Sequence, residues 1–151
     1  MPYTTLIQPM ITVSQLTKTS QENVKELELL SSMLHGDERY SSSDEITDIL
    51  LNPSIVFIAA KDEERIIGMG SLYFHQKVGK LASYIEDVVV DDAYRGQGLG
   101  AKIVQTLIDA GRERGALSIT LTSRPERVPA HKLYEKLGFK KYDTNVFRLI
   151  L

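Results

Sequence analysis

The chain has 151 residues, 42% hydrophobic and 25% charged, with a formal net charge of −2 and no cysteine. That length argues for one domain spanning residues 1–151, able to bury roughly 68–70% of its unfolded surface. The charge balance excludes a sequence-independent grip on nucleic acid, and the lack of cysteine removes disulfides, thiolate metal sites and a cysteine nucleophile. No apolar run reaches bilayer length, and the N-terminal stretch has no signal-peptide pattern, so the expectation is a cytoplasmic protein with no membrane partner.

Ile11–Leu16 alternates apolar and polar residues and predicts a half-buried strand. Thr19-Ser20-Gln21-Glu22 has the capping-box pattern and opens a helix. Its apolar residues Val24, Leu27, Leu30 and Leu34 recur at helical spacing, and Gly36 stops it. Ser42 with Glu45 forms a second capping box, before a short helix through Ile46, Ile49 and Leu50 that Asn52-Pro53 ends. Ile55–Lys61 and Arg65–Phe74 read as strands of a hairpin turning at Asp62-Glu63-Glu64. His75–Lys80 reads as a loop, and Leu81–Val90 as a long strand ending in the β-branched run Val88-Val89-Val90.

Beyond that strand lies Tyr94-Arg95-Gly96-Gln97-Gly98-Leu99-Gly100, then a helix whose residues Leu99, Ile103, Val104, Leu107 and Ile108 line one face and which Gly115 closes. Ser118–Thr122 alternates as a strand, Pro129 suits the first turn of a helix running to Lys136, and Gly138 is its stop. Val146–Leu151 predicts a final strand. The order β-α-α-β-β-β-α-β-α-β indicates an α/β (α+β) fold with a mixed sheet.

The glycine loop between a strand and a helix exposes backbone amides at the positive end of the helix dipole, a geometry suited to phosphate. Three specific readings compete with a plain helix-capping loop. An NTPase phosphate loop fails, because counting from Gly96 reaches Ala101-Lys102-Ile103 where Gly-Lys-Ser/Thr is needed. A dinucleotide fingerprint matches at Gly96, Gly98 and Ala101. However, the next strand ends in Leu121-Thr122-Ser123 without the acidic residue such a site uses, and too little chain follows.

The third reading is Arg95-x-x-Gly98-x-Gly100. With Leu133-Tyr134-Glu135-Lys136-Leu137-Gly138-Phe139 on the penultimate helix, it resembles the Gcn5-related N-acetyltransferase (GNAT) superfamily over most of the chain. The resemblance implies the GNAT fold, a mostly antiparallel mixed sheet flanked by helices. It also implies acetyl-CoA as co-substrate, with no metal. Its pyrophosphate would lie on the amides of Gly96, Gln97, Gly98, Leu99, Gly100 and Ala101, with Arg95 adding charge-assisted contact. Its pantetheine arm would lie along the backbone of Val88 and Val90, which requires a bulged strand with one free edge.

The same resemblance implies direct acetyl transfer to an amine. The Val88 amide would steady the thioester oxygen, and Tyr134, a phenol protonated at neutral pH, would supply the leaving thiolate with a proton. Tyr134 also suits packing on an amphipathic helix with Ala130, Leu133 and Leu137. Glu86 is the candidate base, with a solvated strand-end carboxylate or an amine-binding group as its other readings. Strand alternation turns the adjacent Asp87 to the opposite face and puts Tyr84 beside Glu86, where it would line the acceptor pocket.

His131 lies one turn before Tyr134 and reads as a surface or a cleft residue, while His35, Asp37 and Glu38 fall where the family builds its acceptor pocket. Arg127 stands where the family often has asparagine, in a charged loop with Arg124, so the acceptor does not transfer from relatives. The function implied is N-acetyl transfer to a small-molecule or peptide amine. A glucosamine-6-phosphate N-acetyltransferase is the specific alternative, and a non-catalytic acetyl-CoA-binding regulatory domain is the alternative of another class. The apolar last strand would suit a homodimer.

Overall fold

A computed structural model describes residues 10–36 and 41–151. Asp37 and Glu38, expected near the acceptor, lie outside the described residues. The described chain divides into two compact units, one through Leu121 and one over Thr122–Leu151.

The first unit is a five-stranded sheet in the order β1 (Ile11–Gln15), β2 (Ile55–Asp62), β3 (Arg65–Lys77), β4 (Lys80–Val90), β5 (Ser118–Thr120). All neighbours are antiparallel except β4 and β5, which run parallel. The mixed, mostly antiparallel sheet matches the expectation. Helices α1 (Gln21–His35), α2 (Ser43–Leu51) and α3 (Leu99–Glu113) pack on it.

The local signals for α1 and α2 hold. Ser42 accepts the Glu45 N–H at 3.1 Å while the Ser42 N–H donates to the Glu45 carboxylate at 2.7 Å, a complete capping box. At α1 the cap is Ser20, which accepts from the Asn23 N–H at 3.1 Å, so Glu22 sits one residue too early to return a bond. Gly36 ends α1 at φ +73°, where a side chain would be strained. Val24, Leu27 and Leu30 of α1 and Ile46 of α2 bury against Ala59, Met69 and Val89 of the sheet.

On α3, Leu99, Ile103, Val104, Leu107 and Ile108 are buried, as their spacing predicts, and Ile103, Val104 and Leu107 have no exposure at all. The close seat depends on glycines in β3. A Cβ on Gly70 would stand 2.7 Å from Ile103 Cγ2, and one on Gly68 would stand 3.1 Å from Ile103 Cδ1. Glycine inside a strand here marks close approach of a helix. α3 is thereby a rigid platform for the loop at its N-terminus.

Three expectations are corrected. His75–Lys80 is mostly strand: β3 runs to Lys77 and β4 begins at Lys80, because Gly79 at φ +82° closes the hairpin in two residues. The strand from Ser118 stops at Thr120, as only Ser118–Thr120 find partners on β4. The last strand does not form: Val146–Leu151 is irregular and exposed, with Phe147 at 92% and Ile150 at 86%. The second unit holds a single helix, α4 (Val128–Lys136), with Pro129 in its first turn and Gly138 beyond it at φ +96°.

Candidate active site

The site is built where β4 breaks its pairing with β3. The register runs Met69 opposite Val89 and then Ser71 opposite Glu86, so Gly70 alone faces both Asp87 and Val88. This is a β-bulge, and Asp87 adopts φ +54° to make it. Aspartate is among the few residues with a side chain that tolerate this conformation. The bulge corrects the expectation that Asp87 faces away from Glu86. Glu86 shares a face of the sheet with Met69 and Val89, the face on which α1 packs, and Asp87 reaches His35 at the end of α1, so the bulge turns Asp87 toward that face. Asp87 Oδ1 lies 3.5 Å from Nε2 of His35, the last residue of α1. Sequence reasoning put His35 near the expected acceptor pocket but missed its pairing with Asp87; the signal was an aspartate inside a β-branched strand, where it is a poor strand former.

On its other edge, β4 pairs with β5 only over Ala82–Tyr84, and among the described residues no strand pairs with residues 85–90 along that edge. Val88 and Val90 therefore lie on a stretch bulged on one side and free on the other. That stretch leads into a 3-10 turn at Asp92–Tyr94. Buried Asp91 caps the turn by accepting the Ala93 N–H at 2.9 Å, and pairs with Arg65 at 3.2 Å. The Tyr94 hydroxyl donates to Asp62 at 2.7 Å, and that bond holds the phenol proton above its usual range.

The turn delivers the glycine loop. Gly96 and Gly98 have φ +79° and +77°, with nothing within 4 Å of where a Cβ would stand. Gly98 is the N-cap of α3 and supplies no side-chain bond, and no acidic residue sits in the first turn. The amides of Leu99, Gly100 and Ala101 precede the first intrahelical bond, from Lys102 N–H to Gly98 at 3.1 Å, so they are open to an anion. Arg95 is engaged locally, pairing with Asp92 at 2.9 Å and donating from Nε to the Val90 carbonyl at 3.4 Å.

Beside the bulge, a cleft of about 650 Å³ is lined by Tyr73, His75, Gln76, Lys77, Tyr84 and Glu86. Tyr73 and Tyr84 are cross-strand partners, and His75 meets the Tyr84 ring edge-on with centroids 5.0 Å apart. The buried Ser71 hydroxyl donates to the Glu86 carbonyl at 3.1 Å and fixes the backbone there. The Glu86 carboxyl is held above its usual range, first by desolvation and then by the Asp87 charge. The Tyr73 phenol is raised first by burial and then by Asp87.

In the second unit, Tyr134 lies on α4 with its ring 5.8 Å from that of Phe139. Burial raises its proton affinity and Arg127 opposes that, so the phenol stays protonated at neutral pH. The structure thus gathers Glu86, Val88, Val90 and residues 95–101 along one strand–loop–helix run, and Tyr134 sits on α4.

Residues 22–139 match the model of the acetyltransferase (GNAT) family, and the chain belongs to that family. It is 39% identical over 82 residues to a glucosamine 6-phosphate N-acetyltransferase of Trypanosoma brucei brucei, covering 52% of this chain and 54% of that one. It is 33% identical over 111 residues to N-alpha-acetyltransferase 30 of Schizosaccharomyces pombe, covering 66% of this chain and 72% of that one. A solved Trypanosoma brucei acetyltransferase superimposes with a TM-score of 0.74 at 31% identity, over 94% of this chain and all of the other. The chain spans about half the length of the first curated relatives it matches.

Proposed function

We propose that residues 1–151 act as one acetyl-CoA-dependent N-acetyltransferase domain, moving acetyl from the thioester directly to a primary amine. The observation that carries this reading is the bulge at Asp87–Val88, with an unpaired edge running into a glycine loop whose amides are open. The donor needs a strand edge for its arm and an amide nest for its pyrophosphate, and the chain presents the two in succession.

Acetyl-CoA supplies the activated acyl group; the chain's residues do the rest. The backbone of Val88 and Val90 takes the arm. Gly96, Gln97, Gly98, Leu99, Gly100 and Ala101 take the pyrophosphate, with Arg95 turning from Asp92 to help. Glu86 accepts the proton of the attacking amine, a role suited to a carboxyl whose affinity for protons is already raised. The Val88 N–H donates to the thioester oxygen as charge develops there. Tyr134 gives its proton to the departing thiolate. Among the described residues there is no cluster able to hold a metal, and this route needs none.

Saturating acetyl-CoA should raise Tm, and an unchanged Tm sinks the reading. Tyr134→Phe should lower kcat with acetyl-CoA affinity kept, whereas equal turnover removes Tyr134 as the acid. The similarity to the trypanosomal enzyme favours glucosamine 6-phosphate as one acceptor to assay. Among the described residues no helix is long and apolar enough to cross a membrane, in keeping with a cytoplasmic site of action. The exposed apolar run Val146–Leu151 supports pairing of two copies, which light scattering of the full chain against one ending at Asn145 would test.

A further inference from the structure

The cleft beside Glu86 has opposite charges at its two ends. The inner end holds the Glu86 carboxylate, with Asp87 its neighbour along β4. The outer end is the β3–β4 hairpin tip, where Lys77 and Lys80 face each other directly. Like charges opposite one another on a ladder are destabilising. Among the described residues, neither lysine has an ion-pair partner within 4.0 Å. The tip is held in shape all the same, since the Gln76 amide donates to the carbonyls of Lys77 at 2.9 Å and Lys80 at 3.3 Å. Between the ends run Tyr73, Tyr84 and the edge-on His75.

From this arrangement we infer that the acceptor is an extended bipolar molecule: a primary amine that enters toward Glu86 and carries an anionic group received by Lys77 and Lys80. The inference rests on the acetyltransferase reading and adds the chemical class of the acceptor. Length follows from the strand. Six residues separate the Ser71–Glu86 rung from the Lys77–Lys80 rung. At about 3.3 Å per residue the two rungs are roughly 20 Å apart, a span that a long amine and the reach of a glutamate and a lysine side chain divide between them. The aromatic walls between suit an apolar or stacking middle section. An amine without an anion leaves the paired lysines uncompensated, and a compact one does not reach them.

The test is a series of straight ω-aminoalkanoates (aminobutanoate, aminooctanoate, aminododecanoate), each compared with the alkylamine of the same length. Glucosamine 6-phosphate against glucosamine is the compact arm. Acetyl transfer is read by thiol release. Binding is read separately, as the Tm shift each acceptor causes with CoA present. The carboxylate should improve kcat/KM by about tenfold at the middle or longer length and little at the shortest, the ordinary worth of a charge-assisted bond. Lys77→Gln with Lys80→Gln should abolish that advantage, so that an acid and the alkylamine of the same length react alike. Lys77→Glu should turn the preference toward diamines.

If the carboxylate gives no advantage in binding or turnover, or the advantage survives in the double lysine variant, the inference is overturned while the acetyltransferase reading stands. An advantage greatest for the shortest acid, or confined to glucosamine 6-phosphate, overturns the extended geometry. If no amine is acetylated although acetyl-CoA raises Tm, the acetyltransferase reading fails, and the binding shifts still decide the charge preference.

Discussion

Replacing Gly70 with alanine tests the link between packing and the site. The added Cβ would stand 2.7 Å from Ile103 Cγ2, 3.2 Å from Leu107 Cδ1 and 3.3 Å from Val88 Cγ2. The first distance is shorter than carbon atoms tolerate, and Ile103 and Leu107 are fully buried with no room to retreat. Either α3 lifts from the sheet or the bulge shifts. Overpacking of this kind costs about 1–3 kcal/mol. For a chain of this size that is about 2–4 °C of Tm per kcal/mol. Because Val88 is one of the three crowded neighbours, kcat/KM should fall as well, beyond any loss of folded protein at the assay temperature. Urea melts give the first quantity, and initial rates well below Tm give the second. A variant with unchanged Tm and full activity would refute the claim that α3 and the bulge share this contact.

Further outcomes are expected elsewhere. Glu86→Gln should reduce turnover at neutral pH and flatten the rise of kcat with pH that deprotonation of the raised carboxyl would give. A carboxyl raised on folding contributes stability below its unfolded pKa and loses it as pH rises through the folded value. The glutamine variant should therefore melt no lower than the parent at neutral pH, and a clear drop in Tm would contradict this. Gly98→Ala has open space for its methyl but a φ of +77°, so it should cost about 1–2 kcal/mol in Tm-derived stability. Calorimetry should also show weaker acetyl-CoA binding. Ser42→Ala removes the bond to the Glu45 N–H and should cost about 0.5–2 kcal/mol in urea melts while leaving acetyl-CoA affinity alone.

Much of the fold was legible because its signals are local. A capping serine with glutamate three residues on needs only the first turn of α2 to form. The buried face of α3 is set by helical period, and the glycines at 96 and 98 by a backbone conformation that side chains resist. The same locality made the glycine loop readable as the N-terminus of α3, whereas Glu86 and Tyr134 were singled out by the family resemblance.

What the sequence by itself determined is the set of elements whose reasons lie within a few residues, and with them the family motifs at Arg95–Gly100 and Leu133–Phe139. Only the tertiary structure decided the bulge. Alternation places Glu86 and Asp87 on opposite faces, and it fails because one glycine of β3 sits opposite two residues of β4 while α3 presses on that glycine. It also decided that His75–Lys77 continues a strand and carries a lysine to the cleft beside Glu86. It decided too that Val146–Leu151, strand-like in composition, stays unpaired. Pairing depends on a partner brought from elsewhere in the chain, and no window of neighbouring residues contains that partner.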